Sequence, residues 1–87
     1  MVEVELYTTP FCPYCLRARA LLEHKGVAFT EIDIIEEPAR RAEMIRRAGG
    51  HTSLPQIFIG GEHIGGSDEL LALDRAGELD AKLGTSK

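Results

Sequence analysis

Within its first 34 residues the chain changes hydrophobic period from two to helical and back to two, and that order fixes most of the topology open to it. Val2-Glu3-Val4-Glu5-Leu6-Tyr7 alternates apolar and polar side chains, the pattern of a strand with one face on a core. From Pro13 to Lys25 the period lengthens. Cys15, Ala18 and Leu22 recur at helical spacing with Leu16, Ala20 and Leu21 beside them, and Gly26 supplies a left-handed stop. Val27 to Ile34 is strand-like again, rich in β-branched and aromatic residues. Strand, helix and strand in this order call for a right-handed crossover, which makes the two strands parallel. Glu3 and Glu5 are unusual on a strand central to such a sheet, so they are expected near its exposed end.

A second proline-led helix runs from Pro38 through Met44 and Ile45 to Ala48 and stops at Gly49-Gly50. Gln56-Ile57-Phe58-Ile59 and Glu62-His63-Ile64 then flank Gly60-Gly61, a dipeptide suited to a primed hairpin turn, so these strands are antiparallel. A last helix starts at Ser67 or Asp68 and reaches Ala76 before Gly77; a shorter helical stretch, Glu78 to Leu83, precedes a polar tail, Gly84 to Lys87. The expected architecture is α/β, a four-stranded mixed sheet flanked by three helices in the order β-α-β-α-β-β-α, spanning residues 1–87 as one domain with 84–87 as its tail. A chain this short removes only about 60 to 65% of its unfolded surface from water, so its core is thin, and large insertions or a second domain are excluded.

Fourteen acidic against ten basic residues give a net charge of −4, which argues against nucleic acid as the partner. No apolar run approaches the roughly 20 residues that span a bilayer, and the start is neither basic nor followed by a long apolar stretch, so a cytoplasmic protein with no membrane partner is expected. The two cysteines lie three positions apart in Cys12-Pro13-Tyr14-Cys15. A bridge there closes almost no loop and stabilises little, so the pair suits chemistry better than stapling.

Proline favours the first helical position, which puts Cys12 at the N-cap and Cys15 at the third helical residue. Cα atoms at that spacing are about 5 Å apart, inside the window for a disulfide. Unpaired N–H groups at a helix start favour a thiolate, so Cys12 is the expected nucleophile, with Tyr14 offering an aromatic face beside it. Cys15, a turn further in, is the expected resolving thiol. Arg17 and Arg19 add a minor, screened positive charge. The competing readings are half of a zinc site or a pair of core cysteines. The remaining candidate zinc ligands, His24, His51 and His63, lack zinc-finger spacing, and no metal is expected. Each histidine taken alone reads as an exposed polar residue; the loop carrying His51 is expected to pass close to the dithiol.

Two further features bear on this chemistry. Ser53-Leu54-Pro55 lies just ahead of an apolar strand, either as an ordinary trans proline opening an edge strand or as a cis Leu54-Pro55 bond that leaves the Leu54 backbone free to pair with an extended peptide. Gly65-Gly66-Ser67-Asp68 opens the last helix, either as a plain N-cap or as a site where N–H groups and the Ser67 hydroxyl take a carboxylate while Asp68 takes an ammonium group.

Cys12-Pro13-Tyr14-Cys15, Pro55 before the third strand and Gly65-Gly66-Ser67-Asp68 together resemble a dithiol glutaredoxin of the small bacterial type, with the thioredoxin fold. Tyr7-Thr8, Pro55-Gln56-Ile57-Phe58-Ile59 and His63-Ile64-Gly65-Gly66 extend the likeness over nearly the whole chain, and the tryptophan that precedes the motif in thioredoxins is absent. The resemblance implies a glutathione-dependent thiol–disulfide oxidoreductase of cell redox homeostasis, with glutathione as co-substrate and disulfide-bonded or glutathionylated proteins as partners of a monomer. It implies a cis Pro55, pairing of the Leu54 backbone with the glutathione cysteine, and Tyr14 flanking the sulfur. Ser67 and Asp68 would hold the γ-glutamyl end, and Arg41 the glycine carboxylate.

Three positions depart from the family pattern: Thr9 stands where lysine is common, Ser53-Leu54-Pro55 replaces Thr-Val-Pro, and Gly49-Gly50-His51 is one residue longer. Loss of the lysine implies weaker glutathione affinity, partly offset by Arg41 or His51. Two other functions compete. One is a glutathione-ligated iron–sulfur carrier, against which Pro13 stiffens the turn. The other is a thioredoxin-like electron donor to a reductase, against which Arg41, Ser67 and Asp68 suit a charged tripeptide.

Overall fold

The computed structural model describes residues 2–84, so residues 85–87 of the expected polar tail lie outside the described residues. Strand β1 is Val4–Thr8, helix α1 Pro13–His24, β2 Thr30–Asp33, α2 Ala39–Arg47, β3 Gln56–Ile59, β4 Glu62–Gly65, α3 Ser67–Arg75 and α4 Leu79–Leu83. The four strands form one sheet in the order β2-β1-β3-β4. β1 is parallel to β2, with Tyr7 opposite Ile32, and antiparallel to β3, with Leu6 opposite Ile57. β3 and β4 form the antiparallel hairpin. Gly60 and Gly61 make its turn at φ of 60° and 84°, a pair of conformations that only glycine adopts freely.

Period-two alternation sends the strand side chains to two separate cores. Val4, Leu6, Ile57 and Ile59 face α1, α3 and α4, where Ala18, Leu22, Leu70 and Leu79 meet them. Tyr7, Ile32 and Phe58 face α2 and pack with Met44 and Ala48. Lys25, just past α1, ties that helix end to α3 and α4 through Asp74 at 2.7 Å and Asp80 at 3.0 Å.

Three expectations change. The shorter stretch after Gly77 is a full fourth helix, α4, ended by Gly84 at φ +73°. β2 begins only at Thr30, because Val27 and Phe29 are partly buried against the first core without joining the ladder. Glu5 is not at an exposed strand end. It sits inside β1, half-buried, where Arg47 pairs with both its carboxylate oxygens at 2.8 and 3.1 Å. Glu3 does lie exposed, ahead of the strand. The same guanidinium donates to the Tyr7 hydroxyl at 2.8 Å and lies 4.1 Å above the Phe58 ring, so charge, hydrogen bond and ring together fasten α2 to the sheet. The Tyr7 hydroxyl in turn donates to Glu43 of α2. No helix among the described residues is long and apolar enough to cross a membrane.

Candidate active site

Cys12 has extended backbone angles, φ −103° and ψ 116°, and caps α1, with Pro13 as the first helical residue. Its carbonyl accepts the first helical hydrogen bond, from the Leu16 N–H at 3.2 Å. Cys15 therefore falls one turn in, on the buried face with Ala18 and Leu22, and is only 2% exposed. Cys12 is half-buried, and both thiols are unbridged.

Their surroundings push the two thiols in opposite directions. Burial raises Cys12, but the N–H of Cys15, the Cys15 thiol and the N–H of Tyr14 all point to its sulfur, and together they hold it below an ordinary thiol. Burial raises Cys15; the Thr8 hydroxyl and the Thr9 N–H offset part of this, while the neighbouring Cys12 sulfur raises it further. Arg17 and Arg19 are engaged elsewhere. Arg17 lies 5.5 Å from the Tyr14 ring centre, and Arg19 pairs with Glu31 at 3.2 Å and Glu23 at 3.6 Å. The expected result in a pH series of iodoacetamide alkylation, read by mass spectrometry, is a midpoint for Cys12 below the roughly 8.5 of a free thiol, with Cys15 unmodified until the chain is unfolded. A Cys12 midpoint at or above the free-thiol value contradicts this arrangement.

One segment remote in sequence reaches Cys12, and a second lies against that segment. The Leu54–Pro55 bond is cis, and the Leu54 carbonyl oxygen lies 3.9 Å from the Cys12 sulfur. The start of α3 lies against the same loop, since a Cβ on Gly66 would stand 3.4 Å from the Pro55 carbonyl oxygen. Ser67 is buried there and Asp68 exposed. Gly66, not Ser67, is the N-cap, and the Glu69 carboxylate accepts its N–H at 2.6 Å, so Ser67 is not occupied as a cap. Tyr14, within the motif, is 51% exposed. Arg41 is exposed on α2 and makes no ion pair among the described residues, so no such contact ties it to the cluster. His51 likewise makes no contact with the dithiol; its ring lies 5.9 Å from that of His63.

Thr8, Gln56 and His63 are not among the catalytic or glutathione-binding residues that the sequence predicts. Thr8 was legible: alternation along β1 places it on the Val4 and Leu6 face, under α1 and beside Cys15. Among the described residues no three His, Cys, Asp or Glu side chains converge as a metal site.

Comparison with known proteins agrees with this geometry. The glutaredoxin family model matches residues 4–64. Glutaredoxin 3 of Escherichia coli strain K12 is 55% identical over 83 residues, 95% of this chain and 99% of that protein. The solution structure of a Brucella melitensis glutaredoxin superposes with a TM-score of 0.83 at 54% identity, covering 100% of this chain and 94% of that one. A buckwheat glutaredoxin–glutathione complex gives 0.86 at 30% identity, over 93% of this chain and 76% of that one. With the fold and the dithiol at the start of its first helix, the chain belongs to the glutaredoxin family of thiol–disulfide oxidoreductases.

Proposed function

We propose that the protein reduces protein disulfides and glutathione mixed disulfides at the expense of glutathione, as a monomeric single domain in the reducing cytoplasm. The observation that carries this reading is the half-buried, acidified Cys12 thiol set 3.9 Å from the Leu54 carbonyl, with the start of α3 alongside. The solved glutathione complex of the buckwheat relative supports glutathione as the co-substrate. Two cysteines only three positions apart, too close for a bridge to staple the fold, suit redox chemistry in a compartment where structural disulfides are rare.

In this reading the Cys12 thiolate attacks the glutathione sulfur of a glutathionylated protein. The protein thiolate leaves and takes a proton, and Cys12 is left bonded to glutathione. A second glutathione thiolate attacks that bond, which frees Cys12 and yields oxidised glutathione. Alternatively Cys15 attacks, releasing glutathione and closing the Cys12–Cys15 disulfide, which two further glutathiones reopen. Leu54 pairs with the glutathione cysteine, Pro55 shapes that loop, and Tyr14 flanks the sulfur. Ser67 and Asp68 hold the γ-glutamyl end, and Arg41 reaches the glycine carboxylate.

Turnover of a glutathione mixed disulfide by reduced glutathione, coupled to glutathione reductase, tests the reading. Activity supports it; inactivity there together with reduction by thioredoxin reductase contradicts it and moves the protein to the thioredoxin-like donors. Thr9 is half-buried beside the motif, where a lysine would bring a charge toward the thiolate and the glycine carboxylate. Thr9→Lys is therefore expected to lower the KM for glutathione by up to about fivefold, the scale of one surface-grade ion pair. An unchanged KM contradicts a role for charge at this position.

A further inference from the structure

Gln56 is a polar side chain only 2% exposed, and its amide joins His63 on one side to the loop that reaches Cys12 on the other. Its Nε2 donates to the Ser53 carbonyl at 2.8 Å and lies 3.2 Å from the Ser53 hydroxyl, which closes the Ser53-Leu54-Pro55-Gln56 turn upon itself. Its Oε1 lies 2.6 Å from His63 Nε2 on the adjacent strand β4. A carbonyl oxygen can only accept, so His63 carries its proton on Nε2 and fixes which way the amide faces. His63 is itself held, its ring 5.1 Å from that of Phe58. The chain of contacts runs from the second core, through His63 and Gln56, to the residue preceding Leu54, whose carbonyl stands 3.9 Å from the Cys12 sulfur.

We propose that Gln56 is a positioning residue for disulfide exchange: its amide, oriented by His63, fixes the Ser53–Leu54 backbone against which an extended thiol-bearing peptide pairs beside Cys12. The inference rests on the reading given under Proposed function that substrate pairs with the Leu54 backbone. An open cavity of about 420 Å³, lined by His51, Ser53, Gln56, His63, Gly66 and Glu69, lies over the brace. Water entering there satisfies the Ser53 and His63 groups when the amide is removed, so the loss falls on loop placement more than on folding.

The test compares wild type, Gln56→Met, His63→Leu and His63→Gln in turnover of a glutathionylated peptide with glutathione and glutathione reductase. Gln56→Met keeps the length and loses the hydrogen bonds; it is expected to raise KM about tenfold while kcat stays within about twofold. His63→Leu is expected to raise KM by about threefold, whereas His63→Gln, which still offers an amide N–H to Gln56, restores it. Alkylation of Cys12 by iodoacetamide needs no backbone pairing, so its rate stays within about twofold of wild type and reports an intact fold and thiol. If Gln56→Met does not fold, the two His63 variants decide. An unchanged KM in folded Gln56→Met, or equal values for His63→Leu and His63→Gln, overturns the brace and leaves the glutathione reading intact. Inactivity of the wild type on the peptide overturns the substrate reading instead, and the variants are then compared in insulin reduction with dithiothreitol. A raised KM there supports the brace, and an unchanged one overturns it.

Discussion

Cys12→Ser is expected to lower turnover of every disulfide substrate by at least about 10³-fold, because a serine hydroxyl neither ionises near neutrality nor attacks sulfur. Cys15→Ser is expected to keep most of the turnover of a glutathione mixed disulfide and to lose the reduction of protein disulfides, which needs the second thiol. The geometry sets this asymmetry. Cys12 is half-buried and its sulfur collects two N–H groups and a neighbouring thiol, while Cys15 is sealed on the inner face of α1 with its ionisation suppressed by burial. Attack by Cys15 becomes competitive only after Cys12 has formed a mixed disulfide and the two sulfurs exchange at close range. Glutathione reductase-coupled rates for the three proteins, beside insulin reduction, check both halves. Equal loss from both variants on the glutathione mixed disulfide contradicts the assignment.

The largest expected effect on stability is at Phe58. It is 1% exposed in β3, edge-on to Tyr7 at 5.6 Å between ring centres, 5.1 Å from His63, and 4.1 Å beneath the Arg47 guanidinium. Phe58→Ala opens a cavity in the second core and removes the face on which Arg47 rests, so a loss of about 3 to 5 kcal/mol is expected. For a domain this small that lowers the thermal midpoint by at least about 12 °C. A shift under about 4 °C in a thermal melt contradicts the packing described. Since Arg47 joins Glu5 and Tyr7 to α2, the same substitution loosens the helix that carries Arg41.

The parts of this structure that were legible in the sequence are those set by local periodicity and turn chemistry. Alternation from Val2 to Tyr7, the helical repeat of Cys15, Ala18 and Leu22, and Gly60-Gly61 between two apolar runs give the element order without tertiary information. Pro13 likewise places both cysteines at one helix end, as the structure has them. The misreadings share a physical cause. Glu5 reads as exposed because its partner Arg47 is 42 residues away, and a half-buried carboxylate is tolerable only once that guanidinium arrives. Val27 and Phe29 have strand chemistry, but whether they join a ladder depends on where β1 ends beside them. Arg41 is exposed and makes no ion pair among the described residues, so no local pattern could place it in the site. Gln56 and His63 are seven positions apart, and only the hairpin register shows that a buried amide and an imidazole meet.

The most direct test of the central claim, that Cys12 is the thiol that exchanges with glutathione, is to incubate Cys15→Ser with oxidised glutathione and map the adduct by peptide mass. The expected result is one glutathione per chain, on Cys12, released on adding reduced glutathione, and formed faster on the folded protein than on the same chain in denaturant. Absence of an adduct, or formation no faster when folded than when unfolded, would show that the fold confers no glutathione exchange on Cys12 and would contradict the account.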